Sequence, residues 1–153
     1  MKPAVPSRIR IRALVATAAL VALAGCASGP KYSEQAASMP SVKPGDGRIF
    51  FYRESSMVGA AIQPDIRLNG EVVGSSKPGG YFWVDRPAGQ YSAAASTETE
   101  KTVSFALAAG ETKYVKGSPQ MGLMVGRIVL SVESPDSARP QLMSLSYTGG
   151  TKP

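Results

Sequence analysis

From Arg48 onward, apolar and polar residues alternate with period two and turn residues interrupt the alternation at short intervals. That pattern predicts short strands packed as an antiparallel sandwich. Ile49, Phe50, Phe51 and Tyr52 are apolar on both sides, which places the first strand centrally in its sheet. Ile62, Ile66 and Leu68 share one face opposite Gln63, Asp65 and Arg67, and Asn69-Gly70 predicts a tight hairpin into Glu71-Val72-Val73-Gly74 because both turn residues tolerate positive φ. Pro78-Gly79-Gly80 separates this hairpin from Tyr81-Phe82-Trp83-Val84. Pro87-Ala88-Gly89 then turns the chain into a strand over 90–96. Val103, Phe105 and Leu107 alternate with Thr102, Ser104 and Ala106, and Ala108-Ala109-Gly110 leads into a strand over 112–116. Residues 117–122, which hold Ser118-Pro119, read as a loop, and Met124, Ile128, Leu130 and Val132 mark the strand after it. Met143, Leu145 and Tyr147 alternate with Ser144 and Ser146, which predicts a last strand over 141–147, with a helical turn over 141–145 as the alternative. The expectation is an all-β fold, an antiparallel β-sandwich of about seven to eight strands over 48–147, with 148–153 frayed.

What precedes the domain has a different pattern. Residues 1–25 begin with Lys2, Arg8, Arg10 and Arg12 and no acidic residue. They continue as an apolar run over 13–24 broken only by Thr17, too short for a membrane span. Leu23-Ala24-Gly25-Cys26 resembles the lipobox of bacterial lipoprotein signals at every position. The small residues leave room for the peptidase, and the Cys26 thiol is the nucleophile for a diacylglyceryl group. The resemblance implies removal of 1–25, S-diacylglyceryl and N-acyl chains on Cys26, and membrane attachment, since two or three chains anchor stably where one does not. Ala27 is not the aspartate that retains enteric lipoproteins in the inner membrane, so the expected address is the periplasmic face of the outer membrane. Residues 26–47, rich in Ser, Gly, Pro, Lys and Ala, read as a flexible tether, with Tyr32, Met39 and Val42 as the apolar residues able to dock on the domain.

Discounting the signal changes the charge. The whole chain is +6, with 17 basic and 11 acidic residues, but four of the basic ones precede Cys26. The remainder is close to neutral, and no basic patch for nucleic acid is expected. Histidine is absent and the single cysteine is assigned to lipid. Ser-His-Asp and Cys-His nucleophiles and the usual zinc ligands therefore drop out, as do disulfides. No catalytic residue, cofactor or metal is expected.

Gly47-Arg48-Ile49-Phe50-Phe51-Tyr52-Arg53, then Pro64 to Gly74, Tyr81-Phe82, Arg86-Pro87-Ala88-Gly89 and Gly110-Glu111-Thr112-Lys113-Tyr114-Val115 occur in that order. Taken together they resemble DUF2846, a domain of unknown function carried by small Gram-negative lipoproteins, over about Gly47 to Val132. The resemblance implies a lipid-anchored envelope protein with a β-sandwich domain. It carries no catalytic residues over.

Two clusters are candidates for chemistry. Tyr81 and Trp83 point to one side of a strand, and beside Arg86 they could stack against sugar rings or a partner protein; the competing expectation puts Trp83 in the sandwich core with Tyr81 over its edge. Asp65, Asp85, Glu98 and Glu100 are the carboxylates a glycan hydrolase would need in facing pairs, yet Glu98 and Glu100 read as a solvated hairpin tip and Asp65 as a partner of Arg67 or Arg53. Met121 and Met124 flank Gly122 in what is either a mobile binding loop or core filler. The expected function is a non-catalytic binding or structural module for envelope protein or peptidoglycan. A fixed outer-membrane subunit of a secretion or other envelope machine is the alternative, and a hydrolase acting on envelope glycan a distant one.

Overall fold

The computed structural model describes residues 27–96, 102–121 and 126–150. Nine strands are present among them: β1 Asp46–Arg53, β2 Asp65–Leu68, β3 Glu71–Ser75, β4 Gly80–Pro87, β5 Gly89–Ala95, β6 Thr102–Leu107, β7 Thr112–Gln120, β8 Arg127–Glu133 and β9 Ser146–Tyr147. They form a five-stranded sheet in the order β8-β7-β1-β4-β9 and a four-stranded sheet in the order β3-β2-β5-β6.

Alternation along the strands builds the sandwich. Ile49 and Phe51 of β1, Phe82 and Val84 of β4, Val115, Ile128 and Leu130 face Ile66, Leu68, Val73, Ala93, Phe105 and Leu107 of the second sheet, all buried. The β2–β3 turn has Asn69 at φ 50° and Gly70 at φ 86°, as the hairpin signal requires. Gly74 is needed for close approach, because a Cβ there would stand 2.6 Å from the Phe82 ring.

The four-stranded sheet is antiparallel, but the five-stranded one is mixed: β1 pairs in parallel with β7, and β4 with β9. β7 also runs through Ser118-Pro119, where a loop was expected. β1 reaches only Lys116 of β7, so Pro119, opposite Ile128, interrupts no ladder on a second side. Ile62 precedes β2 rather than lying in it.

The other face of the five-stranded sheet carries a second core. Phe50, Tyr52, Tyr81 and Tyr114 are buried there beneath Ala138, Leu142 and Leu145. The roof is α2, Pro135–Leu142, a helix lying where the strand over 141–147 was expected to begin; only Ser146 and Tyr147 of that strand exist. Ser134 caps the helix by accepting from the Ser137 N–H, and Pro135 opens it. The rest of the roof comes from the segment read as a tether. Residues 32–35 form a single helical turn, α1 Tyr32–Gln35, followed by a 3-10 turn over Ala36–Ser38. Tyr32 and Met39 pack on the second core, whereas Val42 joins neither core. The Tyr32 ring meets Phe50 at 5.7 Å and Tyr81 at 5.4 Å, both edge-on. Backbone bonds from the Tyr147 N–H to the Pro30 carbonyl and from the Tyr32 N–H to the Leu145 carbonyl, each 2.9 Å, fix the segment to the C-terminal strand.

Burying phenols makes the roof alkali-sensitive. Burial, with Tyr32 and Tyr147 nearby, pushes the Tyr81 hydroxyl up from 10.0 to about 12, and burial likewise raises Tyr52 and Tyr32. The folded state holds these protons more tightly than the unfolded chain. Their contribution is thus intact below the unfolded value of about 10 and declines as pH rises through it toward 12. Urea midpoints measured between about pH 9 and about pH 12 should fall steadily; a flat profile would contradict this burial.

Candidate functional site

β4 is covered on one side by β1 along its whole length, from Asp46↔Pro87 to Arg53↔Gly80. On the other side, β9 pairs only with Gly80 and Tyr81. Thr148 extends this contact through its N–H and hydroxyl to the Tyr81 carbonyl. Beyond that point no strand among the described residues pairs with this side of β4, and a groove of about 340 Å³ runs there. Pro40, Ser41, Lys43, Trp83, Arg86 and Tyr147 line it, and Gly150, the last described residue, stands at its margin.

The groove wall is held by one ion pair. Arg48 and Asp85 are opposite each other on β1 and β4. The Arg48 guanidinium donates Nε to Oδ1 at 2.7 Å and Nη2 to Oδ2 at 2.8 Å, and Nη2 also donates to the Pro40 carbonyl at 2.8 Å. A fork-to-fork contact of this kind fixes orientation as well as charge. Arg48 is buried, and its Cζ lies 5.6 Å from the centre of the Trp83 ring, in cation–π range. Tyr147 lies 4.7 Å from the same ring at 37°. Trp83 is thereby held between a fixed cation and a second aromatic ring, rests also against Phe50 and Tyr81, and lines the groove.

Of the three residues singled out from sequence, Tyr81, Trp83 and Arg86, the last two lie at the groove. Tyr81 is fully buried in the second core, and its hydroxyl donates to Gln35 Oε1 at 2.9 Å, so it offers nothing to a partner. Trp83 is half-buried on the same side of the sheet, under the roof rather than in the sandwich core, where Phe82 and Val84 lie instead. Arg86 is on the opposite face by alternation, yet it reaches the groove because the edge of β4 is open there. Asp65 accepts from the Ser75 hydroxyl at 3.1 Å and pairs with neither Arg67, which donates to Ser96, nor Arg53, which points inward. Cys26 and Leu23-Ala24-Gly25 lie outside the described residues, as do Glu98, Glu100 and Met124. Met121 is exposed. Among the described residues no cluster of three or more His, Cys, Asp or Glu could hold a metal ion. No helix among them is long and apolar enough to cross a membrane.

Pro40, Ser41, Lys43 and Tyr147 were not legible as site residues. They come from the two ends of the domain, and only the folding of both ends over one sheet brings them to Trp83. The Arg48–Asp85 pair left a fainter trace, an Arg at the start of the strand that the pattern marks as central and an Asp just after Tyr81-Phe82-Trp83-Val84.

The fold and groove define a small β-sandwich with one sheet face roofed by both chain ends and one edge left open. Residues 43–128 match the family model of DUF2846, a protein family of unknown function, and the chain belongs to that family. A protein of Haemophilus influenzae, described only as uncharacterized, is 21% identical over 145 residues, covering 89% of this chain and 86% of that protein. No solved structure matches. The match takes in β1 to the start of β8, and so includes Arg48, Trp83, Asp85 and Arg86 but neither α1 nor α2.

Proposed function

We propose that this protein is an envelope lipoprotein, held by lipid on Cys26 at the periplasmic face of the outer membrane, whose β-domain is a non-catalytic binding module for an extended segment of another envelope protein. The observation that carries the binding role is the groove along β4 beyond Tyr81, where no strand among the described residues pairs with it and the Trp83 ring lines the wall; Gly150 lies against the Trp83 carbonyl, so the edge free of a neighbouring strand is that toward Asp85. A strand edge accepts an added strand through main-chain hydrogen bonds, and an aromatic surface beside it selects the side chains. Support for the anchor is the order of positive start, short apolar run and Leu23-Ala24-Gly25-Cys26.

Two measurements test the two halves. Replacing Cys26 with Ala should abolish metabolic palmitate labelling and release the protein from membranes; a variant that still labels and sediments would sink the anchor. For the groove, a photo-crosslinking amino acid at Ser41 in cells should capture a defined envelope polypeptide, and Trp83→Ala should reduce that capture several-fold. The same probe at Ala106, on the exposed face of β6, is the control. Capture of glycan instead, or equal capture at both positions, rejects the strand-addition reading.

A further inference from the structure

The described chain begins at one end of the sandwich. A Cβ placed on Gly80, the first residue of β4, would stand 3.2 Å from the Ala27 side chain. From Pro30 onward the segment is bonded to β9, so only Ala27, Ser28 and Gly29 separate Cys26 from fixed structure. At about 3.5 Å per residue, four such steps reach about 14 Å at most. The expected long tether is thus a short leash, and a lipid on Cys26 brings this end of the domain to the bilayer.

The same end carries most of the large exposed apolar side chains among the described residues. β1 finishes here at Arg53, opposite Gly80, and the loop that follows leaves Met57 93% and Val58 58% exposed. β7 runs parallel to β1 and passes it, ending where Met121 is 83% exposed. The loop packs on the facing ends of β7 and β8, since a Cβ on Gly59 would lie 3.0 Å from the Pro119 Cβ and one on Gly126 2.5 Å from Ile62 Cδ1. Arg53 clamps it from beneath, donating to the Gly59 carbonyl at 2.7 Å and the Ile62 carbonyl at 2.6 Å. Lys77, in the turn before β4, and Arg127, at the start of β8, make no ion pair among the described residues. Among the described residues the turns at the far end, 87–89 and 108–110, expose no large apolar side chain.

We propose that this end is a membrane-docking surface: Met57, Val58 and Met121 enter the boundary between headgroups and acyl chains of the bilayer, and Lys77 and Arg127 face anionic headgroups. Apolar tips flanked by basic residues suit an interface in which hydrocarbon and negative charge lie within a few ångströms. Docking sets β4 upright, with Gly80 at the membrane and Pro87 far from it, so the Trp83 groove opens toward the periplasm. The proposal rests on the lipid anchor at Cys26.

The test uses the full-length lipidated protein, reconstituted into vesicles of phosphatidylethanolamine and phosphatidylglycerol. Cys26 is the single native cysteine, and lipidation blocks it, so Met57→Cys, Met121→Cys and, at the far end, Ala109→Cys each take one environment-sensitive fluorophore. Quenching by spin-labelled lipid should be several-fold stronger at positions 57 and 121 than at 109. Equal quenching at all three in protein that floats with the vesicles overturns the docking while leaving the anchor intact. Protein that does not float with the vesicles overturns the anchor, and the docking with it.

Discussion

Arg53→Ala is expected to destabilise the domain by about 3–5 kcal/mol, the largest effect of any polar substitution among the described residues. Arg53 ends β1 on the sandwich side of the sheet and is 1% exposed. Burial pushes its guanidinium pKa down, but an arginine stays charged in a protein. No carboxylate among the described residues neutralises it; its partners are the backbone carbonyls of Gly59, Ile62 and, at 3.4 Å, Ser76. Two effects oppose each other on truncation. Removing a buried charge recovers its desolvation cost, whereas three carbonyls lose a charged donor and a pocket of about 10 Å³ beside the side chain enlarges. The carbonyls decide the sign, because two of the bonds are short and they tie the 57–62 loop, otherwise held by its own turn bonds and the packing of Ile62, to the end of β1. Arg53→Met should cost less than Arg53→Ala, since it keeps the stem and loses only the bonds. Urea denaturation measures both, and limited proteolysis should show cleavage within 54–62 before global unfolding. A loss below about 1 kcal/mol for the alanine variant would mean that the clamp is not structural.

Phe82→Ala is the second large effect, expected at about 3–5 kcal/mol. The ring is 2% exposed and stacks on Phe51 with centroids 5.1 Å apart. It also fills the space left by the missing side chain of Gly74 on the opposite sheet, so it joins β4 to β3 across the sandwich. Truncation leaves a cavity between two paired sheets that cannot close onto it without breaking ladder bonds. Against a typical total of about 5–15 kcal/mol, such a loss leaves the domain marginal. Leu142→Ala, in the roof, should cost about 2–4 kcal/mol and act differently. It loosens α2 from the outer face while the sandwich stays cooperative. Hydrogen exchange separates the two, because protection should drop throughout for Phe82→Ala and chiefly over 30–39 and 135–147 for Leu142→Ala. Uniform loss in both variants would show that roof and sandwich are one unit.

The adjacency of Tyr81 and Phe82 illustrates what sequence could and could not decide. Alternation places them on opposite faces of one strand. It does not say which face meets the second sheet, and the apolar residues on both sides of β1 and β4 require two covers, not one. The sandwich supplies the first. The second is assembled from Tyr32 and Met39, which the sequence marked as able to dock without saying where, and from Ala138 and Leu142, in a segment whose apolar residues are too sparse to signal burial. For α2 the capping serine and following proline stand at Ser134-Pro135, but the helix holds Pro140 inside it and the alternation from Met143 to Tyr147 favoured a strand.

Sequence by itself did not determine the extent of β7 or the helix that replaces most of the expected last strand, but it did determine the strands and turns from β1 to β6, the positive-φ hairpin at Asn69-Gly70, the absence of histidine and the family to which the domain belongs. These are local properties, set by the period of the side chains and by the few residues that tolerate a turn. Tertiary structure alone decided the parallel pairing of β1 with β7, the roof over the outer face, the open edge of β4 and the exit of the chain beside Gly80. Each depends on which distant segments meet. A pattern of apolar positions specifies that a face must be covered, but the choice of cover is made by the packing of the whole chain.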